Sequence, residues 1–481
     1  MVSVHPWNLG NFTDGAWQPG TGKTIPLVAP ATGAVIGDLA FAGSDTVDAA
    51  VAAADRAFAD WGQTTGAARA AIIERMADGI LARRDDLIAL IATTNGKPLA
   101  EATGDVEDAA RCLRYYAGQA RALDDRQGQA VAYEAAFGSQ TYLEPVGPVA
   151  AILPWNFPLK IAAWKLGPAL AAGCTVVLKP SPQSPLAENV WGVVAAEAGL
   201  PPGVLNVVHG DGDLVGPQLT GDARVAKISF TGSTAVGQAL MRGAAVDLKR
   251  LGLELGGKSP IIVFADADPD LAVRLIVEGV FYNAGQCCNA TGRLLVEEAI
   301  APDILARLRA RVTAMALGAP ETGAEMGPVI SEAQYRRILG FLDSAKAEGL
   351  VPLTGGEVDT KAPGFFVPPT IYTDVPASSR LWTEEIFGPV LAAATFRDEA
   401  EAIARANDTE YGLAATIVTG DAARGRRVAR QIQAGHIYLN TSVAIPPETM
   451  WGGFKKSGLG RELGPWGLQG YLEPKTLTAP K

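Results

Sequence analysis

The chain has 481 residues, 48% apolar and 19% charged, with Lys+Arg 41 against Asp+Glu 51 for a net charge of −10. A chain this apolar and this weakly charged for its length buries a core, which excludes wholesale disorder, and it is long enough for about three compact units of ~150 residues each. The acidic balance, without any long run of Lys or Arg, excludes a nucleic-acid phosphate backbone as partner.

Met1 to Gly20 carries no basic segment followed by an apolar run, so no secretory leader is expected. Val47, Val51, Ala54, Phe58 and Trp61 recur at helical steps behind Ser44 and Asp45, which predicts an amphipathic helix with a ready N-cap. A second helical run spans Ala67 to Thr94. Gln127 to Leu143 is polar and alternating, and predicts a protruding hairpin. The longest uncharged stretch, Pro145 to Leu159, is too short and too proline-rich for a bilayer span, so no membrane association is expected. From Pro148 onward short β-branched runs follow, at Val149 to Leu153, Thr175 to Leu178, Val204 to Val208 and Val225 to Phe230. Ala-rich segments of helical length lie between them, at Ile161 to Ala172, Leu186 to Ala198 and Thr234 to Ala245. That alternation predicts parallel βαβ units and a nucleotide-binding sheet. A second α/β region starts with a strand at Ile261 to Phe264 and a helix at Leu271 to Tyr282, and runs to about Asn440. The tail, Gly470 to Thr478, reads as extended. With Gln127 to Leu143 it has no evident sheet of its own, which suggests edge pairing with another subunit.

Cys112, Cys174, Cys287 and Cys288 are too few and too irregularly spaced to staple the chain, which points to reduced thiols and a cytoplasmic location. His5, His209 and His436 stand far apart, and no Cys or His pair has ligand spacing, so no metal is expected; a Ser/His/Asp hydrolase would have to use one of these three. Gly252 to Ser259 (GLELGGKS) fits the P-loop pattern, yet Pro260 opens a strand where a P-loop needs a helix, and Glu254 would put a carboxylate inside the anion cradle. Its glycines predict a tight backbone turn instead. Gly210-Asp-Gly212 reads as a plain strand-to-helix turn, because the third glycine of a dinucleotide fingerprint falls one place late, at Gly216. The turn Phe230-Thr-Gly232-Ser233, continuing to Gly237, ends a strand and opens a helix, and so offers N–H groups and a hydroxyl to a pyrophosphate. Cys287 and Cys288 read either as two small buried hydrophobes or as a nucleophile and its neighbour, and spacing does not choose between the sulfurs.

Pro154-Trp155-Asn156-Phe157-Pro158, Lys179-Pro-Ser181, Phe230-Thr-Gly-Ser233, Glu254-Leu255-Gly-Gly-Lys258, Gly285-Gln-Cys-Cys288, Glu384-Glu385-Ile-Phe387 and Trp451-Gly-Gly-Phe-Lys-Lys-Ser-Gly458 follow one another in this order. Together they resemble the aldehyde dehydrogenase superfamily, from about residue 12 to 478. The resemblance implies an α/β fold with a Rossmann-like dinucleotide domain at 1–126 and 146–255 and an α/β catalytic domain at 256–455. A small β oligomerisation element, 127–145 with 468–481, completes it and implies a homodimer or homotetramer. It implies oxidation of an aldehyde to the acid by NAD or NADP, with Cys288 as nucleophile, Asn156 and the Cys288 N–H holding the oxyanion, and Glu254 activating water. Glu462 would be a secondary carboxylate for proton exchange, a surface ion pair being an equal reading of that residue.

For the cofactor the resemblance implies Trp155, Lys179, Ser181, Gly232, Ser233, Gly237, Leu255, Glu385 and Phe387. Pro182 stands where NAD-preferring members carry a Glu; both a ribose anchor and a repulsion against a 2′-phosphate are lost, so the choice between NAD and NADP stays open. The implied substrate tunnel is Phe157, Ile161, Trp164, Tyr282, Cys287, Asn289, Ile445 and Trp451, an aromatic, mostly neutral lining suited to apolar, aromatic or amino aldehydes. No arginine stands at these positions to clamp a substrate carboxylate, which disfavours semialdehydes of dicarboxylic acids, Lys160 beside the tunnel being the one cation that could meet such a group.

Overall fold

Strands Val149–Ile152, Val176–Lys179, Leu205–Val207 and Lys227–Thr231 are buried along their whole length, which is why their sequences read as continuous apolar runs and not as alternation. The computed structural model that contains them describes Trp7 and residues 10–131, 137–442 and 444–481; His5 and residues 132–136 of the expected hairpin lie outside the described residues. With Arg250–Glu254 these strands form the parallel centre of an eight-stranded sheet. The chain lays down Val149–Ile152, moves out through Val176–Lys179 to Leu205–Val207, then returns to place Lys227–Thr231 on the other side of the first strand. That reversal opens a crevice at the carboxyl ends of Val149–Ile152 and Lys227–Thr231, the place where open α/β sheets bind ligands. Antiparallel Asn11–Thr13 and Ala16–Gln18 extend one edge, and Gly458–Leu459 closes the other beside Arg250–Glu254.

A second sheet of seven strands runs in the order Pro352–Thr354, Thr370–Tyr372, Val390–Phe396, Arg293–Glu297, Pro260–Val263, Ala414–Val418, His436–Leu439, and is parallel except at its first pair. Between the first sheet and the helical layer of Gly66–Ala82 and Leu99–Asp124 runs helix Pro158–Ala172, buried at almost every residue. Pro158 starts it where an N–H would be unsatisfied anyway, and Gly173, in the left-handed region at φ 98, ends it. Phe157, Lys160, Ile161 and Trp164 follow at helical spacing along one stripe.

Several expectations are corrected. The helix behind Ser44 spans Ser44–Trp61 and takes Gly43 as N-cap; Ser44 is its first residue, and its hydroxyl accepts from Gln218 Nε2 instead. The run Ala67 to Thr94 is two helices, Gly66–Ala82 and Arg84–Asn95, broken at Arg83 without a glycine or proline to announce it. The two extended segments, expected to have no sheet of their own, pair with each other. Phe137–Pro145 pairs with Leu472–Pro480 in unbroken antiparallel register from Pro145↔Leu472 to Phe137↔Pro480, and Gln129–Val131 adds a third strand. Among the described residues no helix is long and apolar enough to cross a membrane, and no His/Cys/Asp/Glu group could hold a metal ion.

Candidate active site

Helix Pro269–Phe281 delivers the chain to a turn in which Asn283, Ala284 and Gly285 are all left-handed, at φ 51, 52 and 74. Only glycine adopts this conformation without cost, so the other two are held by their surroundings. The Asn283 side-chain amide donates to the carbonyls of Asn156 and Gln286 at 3.2 Å each, and its N–H meets both oxygens of Glu101 at 3.1 Å. Gln286 donates to Asn283 O at 2.9 Å and accepts from the Ile330 N–H at 2.9 Å. The turn separates the two sulfurs. Cys287 is 7% exposed and its Sγ lies 3.5 Å from Tyr282 O, whereas Cys288 is only partly buried. The bland reading of a small buried hydrophobe therefore fits Cys287.

The P-loop-like glycines form the floor beneath this loop. A Cβ on Gly257 would lie 2.3 Å from the Cys288 carbonyl oxygen, so no other residue lets the two backbones approach as closely. The Gly257 N–H donates to Glu385 at 2.8 Å, and strand Pro260–Val263 follows where a phosphate-binding helix would have to start. The nucleotide-hydrolase pattern has neither its cradle nor its helix.

Glu254 ends its strand with its side chain inside the protein, 4% exposed, and its Oε2 has no hydrogen-bond partner. Burial, with the Glu462 carboxylate nearby, holds it well above the usual carboxylate range against the pull of Lys165 and Arg461. Glu462 is not on the surface. It pairs with Lys165 at 2.5 Å, side chains 7% and 0% exposed, and Ser229 Oγ lies 3.3 Å from the same carboxylate oxygen. Burial and the facing carboxylates of Glu254 and Glu385 push the Cys288 thiol up to about 12, opposed by the N–H groups of Asn289 and Cys288 itself. Asn156 Nδ2 donates to Gln286 O at 2.9 Å, while its Oδ1 is buried without a partner.

Two cavities meet at Cys288 and Thr231. The first, at the strand-order reversal, is lined by Trp155, Asn156, Gly232, Ser233, Leu255, Glu385 and Phe387, with Pro154, Gly256, Gln334 and Arg337. Ser233 caps helix Thr234–Ala244, whose first N–H groups are the usual seat of a pyrophosphate, and the buried Thr231 Oγ1 has no partner. Trp155 and Phe387 meet edge to face at 5.2 Å, and burial raises Glu385 to about 7. These groups fit a dinucleotide. Lys179 and Ser181, 3% and 6% exposed, sit at the end of the neighbouring strand outside this lining, with Lys179 brought down to about 8 by burial. Gly237 also lies outside it, packed on Leu255: a Cβ there would come 2.5 Å from Leu255 Cδ2. The second cavity is lined by Phe157, Ile161, Trp164, Tyr282, Cys287, Asn289, Ile445 and Trp451, the whole expected tunnel, together with Glu254, Lys160 and Asp108. Phe157 stacks on Tyr282 at 6.1 Å, and Trp164 lies 6.0 Å from Trp451. Asp108, Gln334 and Arg337 were not expected from sequence; each lies outside the motifs and none has a local signature, whereas Thr231 lies inside the Phe230-Thr-Gly-Ser233 motif without having been singled out.

The sequence matches the aldehyde dehydrogenase family over residues 17–477. It is 45% identical over 478 residues to betaine aldehyde dehydrogenase 1 of Oryza sativa subsp. japonica, covering 98% of this chain and 95% of that one. Aminoaldehyde dehydrogenase 2 of Zea mays is likewise 45% identical, over 479 residues, with 98% and 95% covered. The fold superposes on betaine aldehyde dehydrogenase of Staphylococcus aureus in complex with NAD+ at a TM-score of 0.95, with 36% identity and 98% and 94% of the two chains covered. An NADP-dependent enzyme of E. coli gives 0.95 at 37% identity, with 98% of each chain covered. With a family match over nearly its whole length and these relatives, the chain belongs to the aldehyde dehydrogenase family and is an NAD(P)-dependent member of it.

Proposed function

We propose that the enzyme oxidises amino aldehydes to amino acids through a thioester on Cys288. The observation that carries the substrate class is the channel at Cys288, lined by the Asp108 carboxylate together with the rings of Phe157, Trp164, Tyr282 and Trp451. Rings and a carboxylate are what an ammonium group takes in exchange for water, and the rice and maize relatives, a betaine aldehyde dehydrogenase and an aminoaldehyde dehydrogenase, support the same reading.

Cys288 gives up its proton to water and its thiolate Sγ bonds to the aldehyde carbon, the carbonyl π electrons passing to the oxygen, which takes the charge. Asn156 spends one amide hydrogen on Gln286 O, which fixes the group and leaves the second, with the Cys288 N–H, for the oxyanion. Bound in the adjoining crevice, NAD(P)+ supplies the acceptor for the hydride that the carbon gives up as the thioester forms. Glu254 then removes a proton from the water that attacks the thioester, the C–S bond breaks and the acid departs. Glu462, held by Lys165 and Ser229, takes the proton onward from Glu254. Lys179 would hold the adenosine ribose with Ser181 nearby, Ser233 would hold the pyrophosphate, and Glu385 with Phe387 the nicotinamide ribose. Pro182 neither accepts from a 2′-hydroxyl nor repels a 2′-phosphate, which supports use of both cofactors.

The domain division falls between the two sheets, and the three-stranded sheet serves assembly into a dimer or tetramer, supported by the exposed Val131, Phe137 and Leu477 on it. In a cofactor-reduction assay with 3-aminopropanal, Cys288→Ala abolishes turnover and Cys287→Ala keeps most of it; the reverse pattern would mean that the other sulfur is the nucleophile.

A further inference from the structure

Asp108 does not face the channel unattended. Lys160 Nζ donates to Asp108 Oδ2 at 2.6 Å, and lies 5.8 Å from the ring centroid of Phe157 and 6.0 Å from that of Trp164. The Lys160 side chain is 12% exposed and that of Asp108 37%. A carboxylate and two rings are the partners that the substrate's own ammonium would need, so the structure assigns Lys160 as a resident cation in the ammonium subsite and hence as a residue that determines specificity. This rests on the amino-aldehyde reading and goes one step further: a charged substrate binds only by sharing Asp108 with Lys160 or by displacing it.

The neighbouring charges do not relieve the competition. Lys97 and Asp105 form their own buried pair at 2.5 Å, with Lys97 Nζ 3.8 Å from the Phe157 ring centroid. Glu101 is committed to the Asn283 N–H. Among the channel-lining residues the other carboxylate is Glu254, beside Cys288 at the reacting end. A primary ammonium, with three N–H donors, can contest Asp108 against Lys160. A trimethylammonium group has none and meets the lysine's charge over the same rings. The channel therefore favours primary amino aldehydes over betaine aldehyde.

The test compares kcat/KM for 3-aminopropanal with that for butanal, and for betaine aldehyde with that for 3,3-dimethylbutanal. Each neutral aldehyde matches its partner in shape, so the ratio isolates the charge. Removing a cation a few ångströms from the substrate's own charge is expected to raise both ratios in Lys160→Met by at least about tenfold, through KM and not kcat. Lys160→Arg, which keeps the cation, retains the wild-type ratios, and the Lys160→Met gain shrinks in an Asp108→Asn background. If 3-aminopropanal is a good wild-type substrate but Lys160→Met leaves both ratios within about twofold of wild type, the assignment of Lys160 fails and the amino-aldehyde reading stands. If both wild type and Lys160→Met prefer the neutral partners and the ratios stay within about twofold of each other, the amino-aldehyde reading fails and takes the assignment with it. If only Lys160→Met prefers the charged partners, the assignment holds and the natural substrate is uncharged.

Discussion

Cys288 holds its proton tightly in this pocket, and so does Glu254, because both are desolvated and face other carboxylates. Groups raised in this way reach their reactive, deprotonated forms only as pH rises, so kcat/KM is expected to climb from pH ~6 to ~9. The rate of Cys288 alkylation by iodoacetamide in the cofactor-free enzyme should climb in parallel. A flat alkylation profile over this range would mean that the thiol is already ionised. The Lys165–Glu462 pair makes a different prediction. Removing one partner leaves the other charge buried, so Lys165→Met should cost about 3–5 kcal/mol in denaturant unfolding, well beyond an exposed pair. Cys288, Glu254 and Asn156 were readable only as members of an ordered set of motifs, since singly each has a commoner bland role. Asp108 was not readable at all: it sits one helical turn along from Asp105 on Leu99–Asp124 and acquires meaning only when Pro158–Ala172 packs against that helix.

Glycines 256 and 257 show how one short pattern serves a different end from the one it spells. The sequence meets the phosphate-loop consensus, but the strand that follows turns it into a floor on which the cysteine loop rests. Gly257→Ala would push a methyl group into the Cys288 carbonyl, shifting the proposed nucleophile by roughly a fraction of an ångström to an ångström. A loss on the order of 10²-fold in kcat/KM with unchanged circular dichroism is the expected result; wild-type kinetics would show that the loop tolerates the displacement. Four strands of the first sheet, Val149–Ile152, Val176–Lys179, Leu205–Val207 and Lys227–Thr231, were legible because both faces are covered and the apolar runs are continuous; Arg250–Glu254 and the short edge strands were not. The break at Arg83 was not, because local propensity carries no trace of a turn imposed by packing. The three left-handed residues at 283–285 were equally hidden, since only the last is a glycine.

Two parallel sheets put their loops around one small volume, and the reversal of strand order in the first provides the crevice. The parallel βαβ units and a nucleotide-binding sheet followed from the alternation of strands and helices in the sequence; the order of the strands did not. The pairing of the tail with Phe137–Pro145 did not, because strands of 9 residues each, separated by most of the chain, carry no signal of their partner. Leu477, 53% exposed on that sheet, is expected to lie at a contact between copies. By light scattering Leu477→Asp should therefore give a smaller assembly than the wild type; equal masses would place the contact elsewhere. The most direct observation of the chemistry is the mass of the acyl-enzyme. Glu254→Gln, mixed with aldehyde and NAD(P)+ and digested at once, should carry one acyl group on the peptide containing Cys287 and Cys288, and fragmentation should place it on Cys288. An acyl group on Cys287, or none on either sulfur in a variant that still reduces one equivalent of cofactor, would contradict the account.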